Sequence, residues 1–217
     1  MHPLSLANHK GSPLQILCLG AHSDDIEIGC GGTILRFSQQ HPDTVFHWAV
    51  FSALGVRSDE ARRAAALFRG PSAAAGLLVK DFKDGFLPYA GPEVKKIFEE
   101  LKQSVAPDLI FTHNRNDAHQ DHRMLAELTW NTFRDHMILE YEIPKYDGDM
   151  GRPGVFVPLT AELCEKKIRF ITDTFQSQSS KLWFQPETFR SLMRLRGMEC
   201  NAPSGYAEAF FCRKLVL

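Results

Sequence analysis

One histidine and three carboxylates crowd into a thirteen-residue stretch, Gly20-Ala21-His22-Ser23-Asp24-Asp25-Ile26-Glu27-Ile28-Gly29-Cys30-Gly31-Gly32. A second cluster, His113-Asn114-Arg115-Asn116-Asp117-Ala118-His119-Gln120-Asp121-His122, follows about ninety residues later. Imidazole nitrogens and carboxylate oxygens are the donors that hold a borderline divalent cation, and a spare carboxylate beside such an ion can serve as a base. His22 and Asp25 can reach one cation across a tight turn, and a second imidazole from the later cluster would complete two nitrogens and one oxygen. That donor set leaves positions free for water and substrate, as a catalytic rather than a structural zinc site does. Zinc brings the pKa of bound water to about 7 and polarises a carbonyl. Amide hydrolysis by such an ion needs a proton acceptor and a proton donor besides. Asp24, adjacent to a ligand but directed elsewhere, suits the base. His119 and Asp121 read as an imidazole oriented by a carboxylate, suited to steadying an oxyanion or giving up a proton. Each of these residues alone has a plainer reading, such as a helix cap for Asp24 or Asp25. Glu27 reads as structural, accepting hydrogen bonds rather than binding metal. His41, His47 and His136 lie away from both clusters.

Both clusters directly follow apolar runs, Ile16-Leu17-Cys18-Leu19 and Leu109-Ile110-Phe111. Strands are expected over 15–20, 44–51, 77–79 and 109–112. Helices are expected over 31–40, from a Ser58 N-cap to Gly70-Pro71, over 92–104, and around Met124, Leu125 and Leu128. In this reading Gly29, Gly31 and Gly32 let the backbone turn into the first helix. Two short strands within 140–158, helices over 161–174 and 186–197, and a strand through Phe210-Phe211 complete the chain. Strands alternating with helices imply a mostly parallel α/β sheet covered on both faces, a Rossmann-like single domain. Ligands bind such sheets beyond the carboxyl ends of the strands, where both clusters fall.

The 217 residues carry 25 basic and 26 acidic side chains, a balance that argues against nucleic acid or an anionic membrane as partner. Arg190, Arg194 and Arg196 read as a solvated helix face. The five scattered cysteines contain no Cys-x-x-Cys pair, so a reducing cytoplasm is the default localisation. Residues 1–13 form a polar tail without an apolar leader segment, with His2 and His9 on its surface, and 14–217 form the domain. No apolar run is long enough for a membrane span.

Ala-His-Ser-Asp-Asp-Ile-Glu-Ile-Gly-Cys-Gly-Gly (21–32) resembles the Ala-His-Pro-Asp-Asp-x-Glu-x-Gly-x-Gly-Gly signature of the PIG-L/LmbE-like N-deacetylases. Asp-Ala-His-Gln-Asp-His (117–122) resembles that family's Asp-x-His-Pro-Asp-His. The resemblance, which extends weakly to the C-terminus, implies a Rossmann-like fold and removal of acetyl groups from N-acetylglucosaminyl conjugates, usually with zinc. By matching position it implies His22, Asp25 and His122 as ligands, Asp24 as base, and His119 with Asp121 as the assisting pair. Arg57 and Asp84 resemble positions that contact the sugar. Ser23 and Gln120 replace the usual prolines, and Phe175 stands where many members place a histidine, so no role is carried over there. The run Tyr206–Phe210 resembles members associated with sugar and polysaccharide functions. The expected partner is therefore a small amino-sugar conjugate; Zn2+ is the expected cofactor, with Fe2+ or another divalent cation as alternatives. The sequence leaves a homo-oligomer open. Two other classes compete. His22-x-Asp24 with His122 also fits the facial triad of iron(II) oxygenases, although those use an all-β scaffold. Gly29-x-Gly31-Gly32 after a strand hints at a non-catalytic nucleotide binder, but the fingerprint is incomplete and its carboxylates would repel a pyrophosphate.

Overall fold

Apolar β-branched and aromatic runs alternate with amphipathic segments along the chain, and each run becomes a strand. The computed structural model describes residues 12–70 and 76–216. Most of the expected polar tail, with His2 and His9, and Pro71 lie outside the described residues. The strands are β1 (Gln15–His22), β2 (Val45–Ser52), β3 (Leu77–Val79), β4 (Leu109–His113), β5 (Met137–Tyr141), β6 (Val155–Leu159) and β7 (Tyr206–Cys212). The helices are α1 (Asp25–Gln40), α2 (Val56–Arg69), α3 (Gly91–Ser104), α4 (Gln120–Thr132), α5 (Ala161–Thr174) and α6 (Pro186–Glu199). All seven strands join one sheet in the order β3-β2-β1-β4-β5-β7-β6. Strands β1 to β5 pair in parallel, and β7 runs antiparallel to both β5 and β6. The expected single α/β domain with a mostly parallel sheet is what forms.

Side chains alternate across each strand, and the sheet divides the core accordingly. Ile16, Cys18, Phe111, Leu139, Tyr141 and Phe210 face one side, where they meet Ile34, Phe68, Ile171 and Met193 of α1, α2, α5 and α6. Leu17, Leu19, Ile110 and Ile138 face the other, against Val94 and Phe98 of α3 and Leu125 of α4. Both faces are buried, so these strands read as continuous apolar runs rather than alternating ones.

Two expected helix starts move by more than one residue, and the strands expected within 140–158 form over Met137–Tyr141 and Val155–Leu159. Helix α1 starts at Asp25, six residues before the expected position, so the glycines lie inside it. They serve close approach instead of turning the chain: a Cβ on Gly29 would fall 2.2 Å from the Tyr141 ring, and one on Gly31 2.5 Å from Phe68. Helix α2 starts at Val56 after Gly55, whose φ of 59° is the left-handed entry, so Ser58 sits in the first turn and is not the cap. The arginines also divide. Arg190 and Arg194 are surface residues bound to Glu165 and to the Gly205 carbonyl. Arg196 is instead buried and paired with Glu142 at 2.7 Å.

Strand β1 lies between β2 and β4, with Cys18 opposite Phe111. The chain leaves β1 toward β2 and β3, then returns to the opposite side as β4. The connections after β1 and β4 therefore diverge at a switch point and leave a crevice above the two carboxyl ends. His22 ends β1 and His113 ends β4.

Candidate metal centre

The β1–α1 turn aims two donor groups, those of His22 and Asp25, at one point. Asp24 adopts φ 108°, a left-handed backbone that costs a non-glycine residue about 1–3 kcal/mol and is kept where the surroundings impose it. The turn lets Asp25 Oδ2 accept the His22 backbone N–H at 2.6 Å, which seats that carboxylate beside its own ring partner. Helix α4 opens with His119 as N-cap, its Nδ1 accepting the Asp121 backbone N–H, so that Asp121 and His122 lie in the first turn and face β1. The result is a triangle. His22 Nδ1 and His122 Nε2 lie 3.1 Å apart, His22 Nδ1 and Asp25 Oδ2 3.3 Å, and His122 Nε2 and Asp25 Oδ2 3.6 Å.

Those edges match a cation. Tetrahedral coordination with bonds of about 2.0–2.2 Å has ligand–ligand separations of roughly 3.3–3.6 Å. The far nitrogens fix the protons. His122 Nδ1–H donates to Asp117 Oδ2 at 3.0 Å, leaving Nε2 with a lone pair. His22 Nε2–H faces Asp84 Oδ1 at 3.0 Å and Asp121 Oδ2 at 3.1 Å, leaving Nδ1 with a lone pair as well. Two lone pairs and a carboxylate oxygen then converge in a buried place, an arrangement that repels itself unless positive charge sits among them. The titration shifts agree. Burial alone would lower the His22 pKa, yet Asp25, Asp121 and Asp84 together raise it well above the usual imidazole range. Burial would raise Asp25, yet His122, His113 and His22 drive it well below the ordinary carboxylate value. The site stabilises positive charge, and the residues fit a divalent ion. A second grouping shares His22: donor atoms of His22, Asp84, His119 and Asp121 lie within 4.8 Å of one another, but Asp84 is largely exposed.

Asp24 stands apart from the triangle. Its Oδ1 accepts from Arg57 Nη2 at 3.2 Å, while Oδ2 is buried and has no partner among the described residues. Burial, opposed by Arg57 and reinforced by Asp25, pushes its carboxyl up to about 8. Arg57 is gripped from both ends: Ser23 Oγ–H donates to the Arg57 carbonyl at 2.9 Å, and Arg57 Nη2 donates to the Ser23 carbonyl at 2.5 Å. Asp84 lies at the mouth, its carboxyl held down to about 2 by its hydrogen bond with His22. His119 is half-buried, and burial and the neighbouring His22 lower its pKa.

One sequence expectation changes here. The Asp121 carboxylate does not orient His119; it faces His22 and accepts the backbone N–H groups of Gly85 and Leu87 at 2.7 and 3.1 Å. It thereby ties the 85–87 loop to the site. Glu27 is buried, and beyond its own backbone N–H neither oxygen has a hydrogen-bond partner among the described residues. Burial raises its pKa well above the carboxylate range. Phe175 is simply a core ring at the end of α5.

Two residues escaped the initial assignment. His113 Nε2 lies 3.2 Å from Asp25 Oδ2, 3.0 Å from the Ala21 N–H and 3.3 Å from the Tyr141 hydroxyl, and its ring stacks on His122 at 3.9 Å. Asp117 receives the His122 proton and the His119 N–H, and Lys145 Nζ lies 3.1 Å from its Oδ1. Asp117 belongs to the Asp-x-His motif, so its spacing five residues before His122 was the available signal.

Comparison with solved structures places this architecture among known folds. The N,N'-diacetylchitobiose deacetylase from Pyrococcus horikoshii is 18% identical, with a TM-score of 0.71 over 92% of this chain and 83% of that one. The 4-carboxy-2-hydroxymuconate hydratase GalB from Pseudomonas putida KT2440 is 16% identical, with a TM-score of 0.75 over 94% and 98%. The zinc-inhibited form of teicoplanin deacetylase Orf2 is 12% identical, with a TM-score of 0.67 over 91% and 97%. At such identities the likeness establishes the fold alone. The sequence decides the family: residues 17–133, more than half of the chain and the span that carries both clusters, match the PIG-L family, described as GlcNAc-PI de-N-acetylase, and the chain belongs to it.

Proposed function

We propose that the protein is a metal-dependent N-deacetylase that releases acetate from an N-acetylated amino-sugar conjugate of the N-acetylglucosamine type. One observation carries this reading: the converging donors of His22, Asp25 and His122 sit beside a buried carboxylate oxygen, Asp24 Oδ2, that no other described residue uses. Zn2+ is the ion we assign; bound there it would polarise the acetyl carbonyl and acidify a water. The chain's own residues move the protons. In its ionised form, which a cation beside it would favour, Asp24 Oδ2 takes a proton from the attacking water as the water oxygen bonds to the carbonyl carbon. The raised pKa of Asp24 suits it to keep that proton and pass it to the departing nitrogen when the C–N bond breaks, giving acetate and the free amine. His119 Nδ1 accepts a backbone N–H, so its proton is on Nε2. Its lowered pKa favours a neutral ring that donates a hydrogen bond to the oxyanion. Arg57 and Asp84, at the mouth, are assigned to the sugar hydroxyls. Asp121 holds the His22 ring and the 85–87 loop rather than the substrate.

No described helix is long and apolar enough to cross a membrane. The five cysteines are all free thiols, which supports our placing the protein in a reducing cytoplasm. A hydratase among the fold relatives shows that the fold does not choose the reaction, so the test must be chemical. The experiment is acetate release across a panel of N-acetylglucosamine conjugates, with elemental analysis of the same preparation. Asp24→Ala is expected to lower kcat by about 10²–10⁴-fold while metal content stays that of the wild type. Near-normal turnover by Asp24→Ala would refute the assigned base, and full turnover after exhaustive chelation would refute the cation.

A further inference from the structure

A groove of about 500 Å³ opens on the α4 side of the sheet, between the loop after β4 and strands β6 and β7. Asn114, Asn116, Arg152 and Arg213 line it, with Phe211 and Val155 as apolar walls. Its one carboxylate, Glu140, is buried and fully engaged. Oε1 accepts Trp130 Nε1–H at 2.6 Å and Arg213 Nε–H at 2.9 Å, and Oε2 accepts the Arg115 backbone N–H at 3.2 Å. Arg213 is thereby fixed through Nε, with its guanidinium 5.8 Å from the Trp130 ring, and its two terminal nitrogens are not used by described residues. Arg152 has no hydrogen bond or ion pair among the described residues and is exposed. Asn114 Oδ1 accepts the Asn116 N–H at 2.7 Å, which leaves carboxamide N–H groups on the same wall.

Among the lining side chains the donors thus outnumber the acceptors, and one fixed and one free guanidinium share the groove. A charge-assisted hydrogen bond from such a guanidinium to an anion is stronger than one between neutral groups. We propose that this groove is a binding site for a small organic anion, a carboxylate or phosphate ester carrying an apolar group that packs on Phe211. The site is separate from the metal centre and reaches it through one loop: Asn114 and Asn116 line the groove, while Asp117 of the same loop holds His122. The anion can arrive as the charged group of the substrate conjugate or as a free ligand.

The probe is phenyl phosphate, titrated calorimetrically into the metal-loaded protein, with phenol as the uncharged control. Arg152 makes no hydrogen bond or ion pair among the described residues, so Arg152→Ala is expected to leave the fold intact and isolates the site. Phenyl phosphate is expected to bind, phenol not, and Arg152→Ala to weaken binding about tenfold or more. Arg213→Ala should act in the same direction. Equal affinity of wild type and Arg152→Ala, or no binding of phenyl phosphate, overturns the proposal. Two kinetic arms then locate the source. A loss by Arg152→Ala confined to phosphorylated N-acetylglucosamine conjugates assigns the anion to the substrate. A change in turnover of an uncharged conjugate on adding phenyl phosphate assigns it to a separate ligand. Binding is read without turnover, so a protein that binds phenyl phosphate through Arg152 yet releases no acetate refutes the deacetylase reading and leaves this site standing.

Discussion

At the scale of single residues, the site depends on how Asp24 is held. Relatives of the family carry proline at the position of Ser23, and a proline would stiffen the turn covalently. Here the Ser23 hydroxyl performs that task by bonding the Arg57 carbonyl at 2.9 Å, while Arg57 returns a bond to the Ser23 carbonyl and steadies Asp24. Ser23→Ala is expected to lower kcat several-fold with KM little changed, because the base loses its fixed position and the metal ligands do not. Ser23→Pro should recover most of the loss, since the ring restrains the same dihedral. A kcat for Ser23→Ala equal to that of wild type would show that the clasp is incidental. Asp24 itself supplies a pH prediction for the chelated protein. Its carboxyl ionises near 3.8 when unfolded and only near about 8 when folded. Between those values the unfolded state is the more readily deprotonated, so rising pH steadily removes stability. Asp24→Asn deletes that slope. Thermal melts from pH 5 to 8 should therefore fall more for wild type than for Asp24→Asn, and parallel curves would contradict the buried, proton-holding carboxyl.

Helix α1 and strand β5 show how elements, rather than residues, set the geometry. Gly29 lets the Tyr141 ring lie against α1, and the Tyr141 hydroxyl donates to the Leu19 carbonyl at 2.6 Å and lies 3.3 Å from His113. Alanine is the better helix former by about 1 kcal/mol, which alone would favour Gly29→Ala. The added methyl would sit 2.2 Å from a fully buried aromatic carbon, and overpacking of that kind costs about 1–3 kcal/mol or more. The clash should win. Gly29→Ala is expected to lower unfolding stability by roughly 1–2 kcal/mol and to weaken cation affinity, because Tyr141 moves His113 and with it Asp25. Gly154→Ala, where nothing lies within 4 Å, is the neutral control. A stability gain in Gly29→Ala would mean the ring simply moves aside. This contact also marks where reading the sequence stops. Apolar runs followed by His22 and by His113 announced the strands and the crevice, since burial on both faces leaves a continuous signal. The bracing by Tyr141, and the Asp121 carboxylate facing His22 instead of His119, depend on strand register and ring stacking between distant segments. No local spacing encodes those. The glycines misled for a related reason: a run of them fits a turn as well as a helix packed closely on large rings.

Across the whole molecule, the site concentrates negative charge in the body of the fold. Asp25, Asp117 and Asp121 are all buried at the ends of β1 and β4, and Lys145 supplies only part of the balance. An ion held by the folded chain and by nothing in the unfolded one stabilises by mass action, about 2.7 kcal/mol at a hundredfold excess over its dissociation constant. For a chain of this length about 1 kcal/mol corresponds to roughly 2–4 °C, so chelation should lower the melting temperature by about 5–10 °C. His122→Ala removes one of the three converging donors and should melt near the chelated wild type, with or without added zinc. The effect must also depend on pH. His22 has a raised pKa in the ion-free protein, so falling pH fills the place between His22 and His122 with a proton that competes with the cation. Apparent affinity for the ion is expected to drop as pH falls, measured by competition with a chelator of known affinity. A melting temperature indifferent to chelation would mean that the buried carboxylates balance one another without an ion.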